Sequence, residues 1–131
     1  MSPEQELFDW FYMRANELSS NNTYDYLPQQ DEPVKYPFVK VGNVYTTSTG
    51  TKTSVGGSYT IYIDVWGRHT DRLAVVELVD KLYALIFNPV KTENYVFIAS
   101  HSGQQKQITT DTSVPNSVFI RGMLVLTLER T

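Results

Sequence analysis

The apolar positions of this chain recur with two different periods. Across residues 3–18, PEQELFDWFYMRANEL, Leu7, Phe11, Ala15 and Leu18 return every three or four residues, and Phe8 and Trp10 widen the stripe. That spacing predicts an amphipathic helix. Ser2 stands where it can cap the helix, Pro3 suits its first position, and Glu4 and Glu6 sit near the positive end of its dipole. A second helix is predicted over residues 71–87, DRLAVVELVDKLYALIF, on the spacing of Leu73, Val76, Val79, Leu82 and Ile86. Thr70 is the expected N-cap, and Asn88 and Pro89 the stop. At about 1.5 Å per residue this helix spans roughly 25 Å, comparable to a strand lying beside it.

Elsewhere the period is two. Residues 36–45, YPFVKVGNVY, and 59–66, YTIYIDVW, read as strands, the second broken by Gly67. Residues 94–100 read as a third strand, Gln105–Thr109 as a possible extension of the pairing, and 117–129, SVFIRGMLVLTLE, as a long final strand. In that last strand Val118, Ile120, Leu124, Leu126 and Leu128 share one face, while Phe119, Met123 and Val125 make the other partly apolar. Two segments have no period. Residues 19–35 hold turn formers and two prolines and read as a long loop, of a length that in a compact domain is usually functional or mobile. Residues 46–58 hold eleven Thr, Ser or Gly in thirteen positions and read as a long polar hairpin tip. The order is α-β-β-α-β-β in a single α+β domain over 1–131, with a mainly antiparallel, or else mixed, sheet of about four strands flanked by helices.

The strand at 59–66 raises a question of cover. Tyr59, Ile61, Ile63 and Val65 suit a core, yet the alternate positions are Thr60, Tyr62, Asp64 and Trp66 rather than a plainly polar set. The second helix covers one face of the sheet, and the first is expected to cover part of the other. Two readings stay open for the remainder. Either the first helix fills the second face of a monomer, or surplus apolar and aromatic surface marks a subunit contact.

Charge and residue inventory narrow the function classes. The 131 residues carry 14 acids and 11 bases, a net charge of −3, which gives no compositional case for a nucleic-acid binder. The acids concentrate at the start: residues 1–35 hold seven acids against Arg14 and Lys35, and the remainder holds seven against nine bases. There is no cysteine, so disulfides, thiolate nucleophiles and thiolate metal sites are excluded. The first residues lack the charge and apolar run of a signal peptide, and no apolar run reaches the roughly 20 residues a membrane helix needs. The chain reads as a soluble protein of a reducing compartment, with no membrane partner.

No catalytic constellation emerges. His69 and His101 lie in turn-like segments without metal-binding spacing, and SVGGSY and TSTGTK lack the spacing of a phosphate loop. Asp25 and Asp31–Glu32 lack the spaced ligands of a calcium loop. Asp64 is expected to pair with Arg68, Arg72 or Lys40. The reading is of a non-enzyme without cofactor or metal. A small ligand- or nucleic-acid-binding α/β module is the alternative from another class, since an aromatic sheet face can stack bases.

The run from Tyr36 to Leu82 resembles a known family. The pieces are YPF followed by a hydrophobic residue and a glycine (Tyr36–Gly42), a Thr/Lys-rich hairpin tip (Thr46–Ser58), IDVWG (Ile63–Gly67) and a helix with a Val-Asp step (Val75–Leu82). They resemble the tail-completion, or tail terminator, proteins of long-tailed bacteriophages. The likeness covers roughly residues 1–90, and 91–131 match only as strand-rich sequence. It implies a virion structural protein that forms a ring, hexameric in the lambda-type tail, on the last ring of the tail tube. That ring ends polymerisation and offers the surface for head attachment. Implied partners are other copies of the chain, the tail-tube protein, a head–tail connector or neck protein, and DNA passing without sequence-specific contact. The implied place is the head-proximal end of the tail, after assembly in the host cytoplasm. A connector subunit sealing the portal is the nearest alternative. Tyr45, Thr47, Thr49, Lys52, Val55, Tyr62, Asp64 and Trp66 are the expected subunit-interface residues, with Tyr62, Asp64 and Trp66 covered by the first helix and in part by a neighbour.

Overall fold

The computed structural model describes residues 1–29, 32–47 and 57–131. Helix α1 is Pro3–Leu18, followed by strands β1 (Thr23–Tyr24), β2 (Phe38–Thr47) and β3 (Ser58–Arg68). A 3-10 turn, His69–Asp71, leads into α2 (Arg72–Ala84), which closes in a second 3-10 turn at Leu85–Phe87. Strands β4 (Val90–Lys91), β5 (Val96–Ala99), β6 (Gln105–Asp111) and β7 (Phe119–Arg130) complete the chain. Ser2 caps α1 as expected, its Oγ accepting the Gln5 N–H at 3.2 Å. Thr70 does not cap α2. It lies within the 3-10 turn, and Asp71 holds that turn by accepting the Arg68 N–H at 2.8 Å.

The fold is α+β, but the sheet has seven strands rather than about four, in the order β1-β2-β3-β7-β5-β4 with β6 also on β7. It is mixed, because β1 runs parallel to β2 while the other pairings are antiparallel. The added strands β1 and β4 have two residues each, too few to show a period. The twelve-residue β7 outruns any one neighbour. Its first part pairs with β6 and its last residues with β5. Between them the Gln104 side chain takes the place of a strand peptide. Its Oε1 accepts the Thr127 N–H at 2.9 Å, and its Nε2 donates to the Thr127 carbonyl at 2.7 Å. The backbone of Thr127 is thereby satisfied where the edge changes hands.

Both helices lie on the same face of the sheet, so the expected cover of the second face by α1 is not what forms. Leu7, Phe11 and Ala15 of α1 share one core with Val75, Val79 and Leu82 of α2, over Tyr59, Ile61, Ile63 and Val65 of β3. The reason is chemical. The opposite face carries Lys40, Asp64 and Arg121 at its centre, and a helix laid there would strand those charges away from water. The stripe of α2 is also turned from its expected register. Val75, Leu78, Val79 and Leu82 are buried, and Leu73 points out at 71% exposure.

Close approach of α2 is permitted by two glycines. Gly67 does not break β3. It pairs with Ile120 inside the sheet, and a Cβ there would lie 2.6 Å from Val75 Cγ2. At Gly122 a Cβ would lie 2.3 Å from Val79 Cγ2. The first turn of α1 is tied down by polar contacts. The buried Glu6 carboxylate accepts the Asn94 N–H at 2.9 Å and the Asn94 amide at 2.7 Å, and Glu4 accepts the Thr46 hydroxyl at 2.7 Å. Those donors hold the Glu6 and Glu4 carboxyls below the ordinary glutamate range.

Two outcomes are expected. Gly122→Ala overpacks the α2–sheet contact and lowers stability by about 1–3 kcal/mol, measured by denaturant unfolding. Because the folded carboxyls titrate below their ordinary value of 4.5, their contribution is complete above that pH and is lost as pH falls below it. Glu6→Gln therefore lowers Tm at pH 7 and flattens the decline of Tm between pH 5 and 3.

Candidate functional site

The face of the sheet turned away from the helices divides into two halves. At one end an aromatic cluster forms around Trp66. Its ring meets Phe119 edge-on at 6.5 Å, and Phe119 stacks on Tyr36 at 5.8 Å. Tyr36 and Tyr24 each lie 5.5 Å from Phe38, which is buried outside the main core. Asp64 pairs with Arg121, at 3.1 Å, and not with Lys40, Arg68 or Arg72. The same guanidinium lies over the Trp66 ring at 5.0 Å, so one arginine serves a carboxylate and a π face at once. Arg68 covers Tyr36 in the same manner, at 5.8 Å. The Trp66 indole N–H is buried with no hydrogen-bond partner.

What covers this end is the chain leading into β2. Leu27, Pro28 and Val34 on one side, and Val114 and Ser117 on the other, wall a groove of about 500 Å³ floored by Phe38, Trp66 and Phe119. Among the described residues its charged lining is Glu32 and Asp111, with no cation. Each carboxylate also braces its own loop. Glu32 accepts the Gln29 N–H at 3.2 Å and the Tyr26 hydroxyl at 3.3 Å, and Asp111 accepts the Ser113 hydroxyl at 2.6 Å and N–H at 2.9 Å. The Ser113 contacts hold the Asp111 carboxyl below the ordinary aspartate range.

The other half of the face is open. Tyr45 and Tyr62 meet edge-on at 5.4 Å and stand 53% and 44% exposed. Beside them the Thr60 and Thr127 hydroxyls hydrogen-bond at 3.1 Å, and Ile98 on β5 is exposed. Of the residues expected at an interface, Tyr45 and Tyr62 therefore belong together on open sheet, with Thr47 exposed at the end of β2. Asp64 and Trp66 lie apart from them, in the covered half. Thr49, Lys52 and Val55 fall outside the described residues. Among the described residues no group of three or more His, Asp or Glu side chains is placed to hold a metal ion. No helix there is long and apolar enough to cross a membrane.

No family model matches the chain. It is 34% identical over 86 residues to tail completion protein gp17 of Bacillus phage SPP1. The chain resembles a phage tail-completion protein. The match spans 65% of this chain and 61% of that relative's own length. In three dimensions the chain is similar to one from the virion of a native gene transfer agent particle. The TM-score is 0.66 at 16% identity, over 98% of this chain and 94% of that one. A second solved structure is similar with a TM-score of 0.54 at 12% identity, over 98% and 89%. At those identities the likeness is one of fold. It carries the α+β architecture over 98% of the chain.

Sequence reasoning found Trp66 but missed Tyr36, Phe38 and Arg121 as its surroundings, and missed the groove altogether. The available signal was small: Leu27 and Val34 are apolar residues set among turn formers, and Phe119 alternates onto the same face as Arg121. Because Trp66 is held by rings and a guanidinium rather than by its N–H, Trp66→Phe is expected to leave stability nearly unchanged. Trp66→Ala is expected to cost about 3 kcal/mol. Urea unfolding of the two variants measures the difference.

Proposed function

We propose that this chain is a tail-completion subunit of a long-tailed phage, forming a ring on the head-proximal end of the tail tube. The ring, hexameric if it follows the tail terminators, ends tube growth and offers the surface to which the DNA-filled head attaches. The observation that carries the reading is the 34% identity to a tail completion protein across 86 residues. The fold adds a surface suited to the task. One helical layer leaves half a sheet face open, with the Tyr45–Tyr62 pair at its centre. Exposed paired tyrosines supply large contact area at low entropic cost, as interface residues do. Partners are further copies of the chain, the tail-tube protein on one side and a neck or connector protein on the other, with DNA passing without sequence-specific contact. Assembly takes place in the host cytoplasm.

The test is tube capping. Tubes grown from the tail-tube protein are expected to stop at fixed length when this chain is present, with a ring at one end in electron micrographs. Tyr45→Ser/Tyr62→Ser is expected to fold with an unchanged melting curve and to cap tubes at least about tenfold less efficiently. Unlimited tube growth in the presence of the unmodified chain overturns the reading. Capture of the portal-proximal protein without the tube protein reassigns the chain to the connector.

A further inference from the structure

We infer that the groove beside Trp66 is a socket for a second copy of this chain, receiving Arg72 and Leu73 from the start of that copy's α2. The inference rests on the ring reading above and supplies one of its contacts. Leu73 is 71% exposed, turned away from the buried stripe of Val75, Leu78, Val79 and Leu82. Arg72 beside it is exposed and has no hydrogen bond or ion pair among the described residues. Among the described residues one other exposed large apolar residue stands next to a base, Met13. Its neighbour Arg14 is already occupied, paired with Glu17 at 2.9 Å and lying over Trp10. Arg68, close to Arg72 in sequence, is likewise taken by Asp71 and Tyr36. Arg72 and Leu73 thus form a basic–aliphatic knob without a use inside the monomer.

The groove is its complement. Its floor is aromatic and its walls aliphatic, its charged lining is Glu32 and Asp111, and its volume of about 500 Å³ lies within the range of built binding sites. An arginine reaching two carboxylates at the rim of an apolar pocket makes a charge-assisted contact of the kind that fixes register at interfaces. The two surfaces lie on opposite sides of the sheet. α2 packs on the helical face through Val75 and Val79, and the groove is floored on the other face. A two-fold contact needs knob and socket on one shared patch, so that each copy gives and receives across it, and a knob and socket set on opposite sides of the sheet do not form such a patch. The contact is head-to-tail, and repetition closes a ring or continues as a filament.

The chain has no cysteine, so cross-linking is clean. Leu73→Cys and Val114→Cys, made singly and together, are oxidised in the presence of tubes of the tail-tube protein. Mixing the two single variants is expected to give a disulfide-linked dimer, and the double variant a ladder of linked copies, while each single variant alone stays monomeric. Arg72→Glu is expected to lower cosedimentation with tubes about tenfold. Adding Glu32→Lys is expected to restore most of it. Capping without cross-links, or a homodimer from Leu73→Cys alone, overturns this pairing and leaves the ring reading standing. A chain that neither caps tubes nor self-associates overturns both.

Discussion

Burial of two amphipathic helices against one face of a single sheet is the interaction on which this molecule depends. Leu7, Phe11 and Ala15 from one helix and Val75, Val79 and Leu82 from the other meet the same strand residues. At roughly 1.5–3 kcal/mol for each fully buried side chain of this size, that layer is the main source of stability. The glycines at 67 and 122 belong to the same constraint, because α2 comes close enough that a methyl group at either position would collide with a valine. Once both helices lie on one side, no helix among the described residues remains for the other.

The far face is therefore finished by other means. At one end loops fold back over rings. Leu27, Pro28 and Val34, with Val114 and Ser117, wall a groove above Phe38, Trp66 and Phe119, and beside it the Asp64–Arg121 pair sets a guanidinium over the indole. At the other end nothing from the described chain lies over Tyr45 and Tyr62. A covered, charged, aromatic half next to an open tyrosine half gives the molecule two unlike surfaces. The ring proposed above, set between a tube and a neck, asks for two such unlike surfaces and for unlike patches that meet head to tail.

Much of the framework was legible in the residues. The stripe of α1 and its Ser2 cap and the alternation of β3 and β7 depend on neighbours three, four or two residues away, and local spacing records them. Of the hairpin tip expected over 46–58, Thr46, Thr47 and Ser58 belong to β2 and β3, and 48–56 lie outside the described residues. The resemblance carried by Tyr36–Gly42 and Ile63–Gly67 also lies in short contiguous runs, and the relative matched over 86 residues is likewise a tail completion protein. The short strands β1 and β4 were beyond reach, because two residues show no period.

What local spacing could not determine was which elements share a face. An apolar stripe says that a helix must be buried, not against which side of a sheet. That choice belonged to Lys40, Asp64 and Arg121, which come from three strands and meet only after pairing. The same holds for the groove, whose walls are drawn from residues some eighty positions apart, and for Leu73, which fits a helical period yet points away from the core. The amino-acid sequence by itself determined the two helices and the longer strands, their order, and the buried sides of α1, β3 and β7. Tertiary structure alone decided where the charges fell, and with them which face of the sheet remained for other molecules, because desolvating an ion is a cost set by the whole surrounding layer.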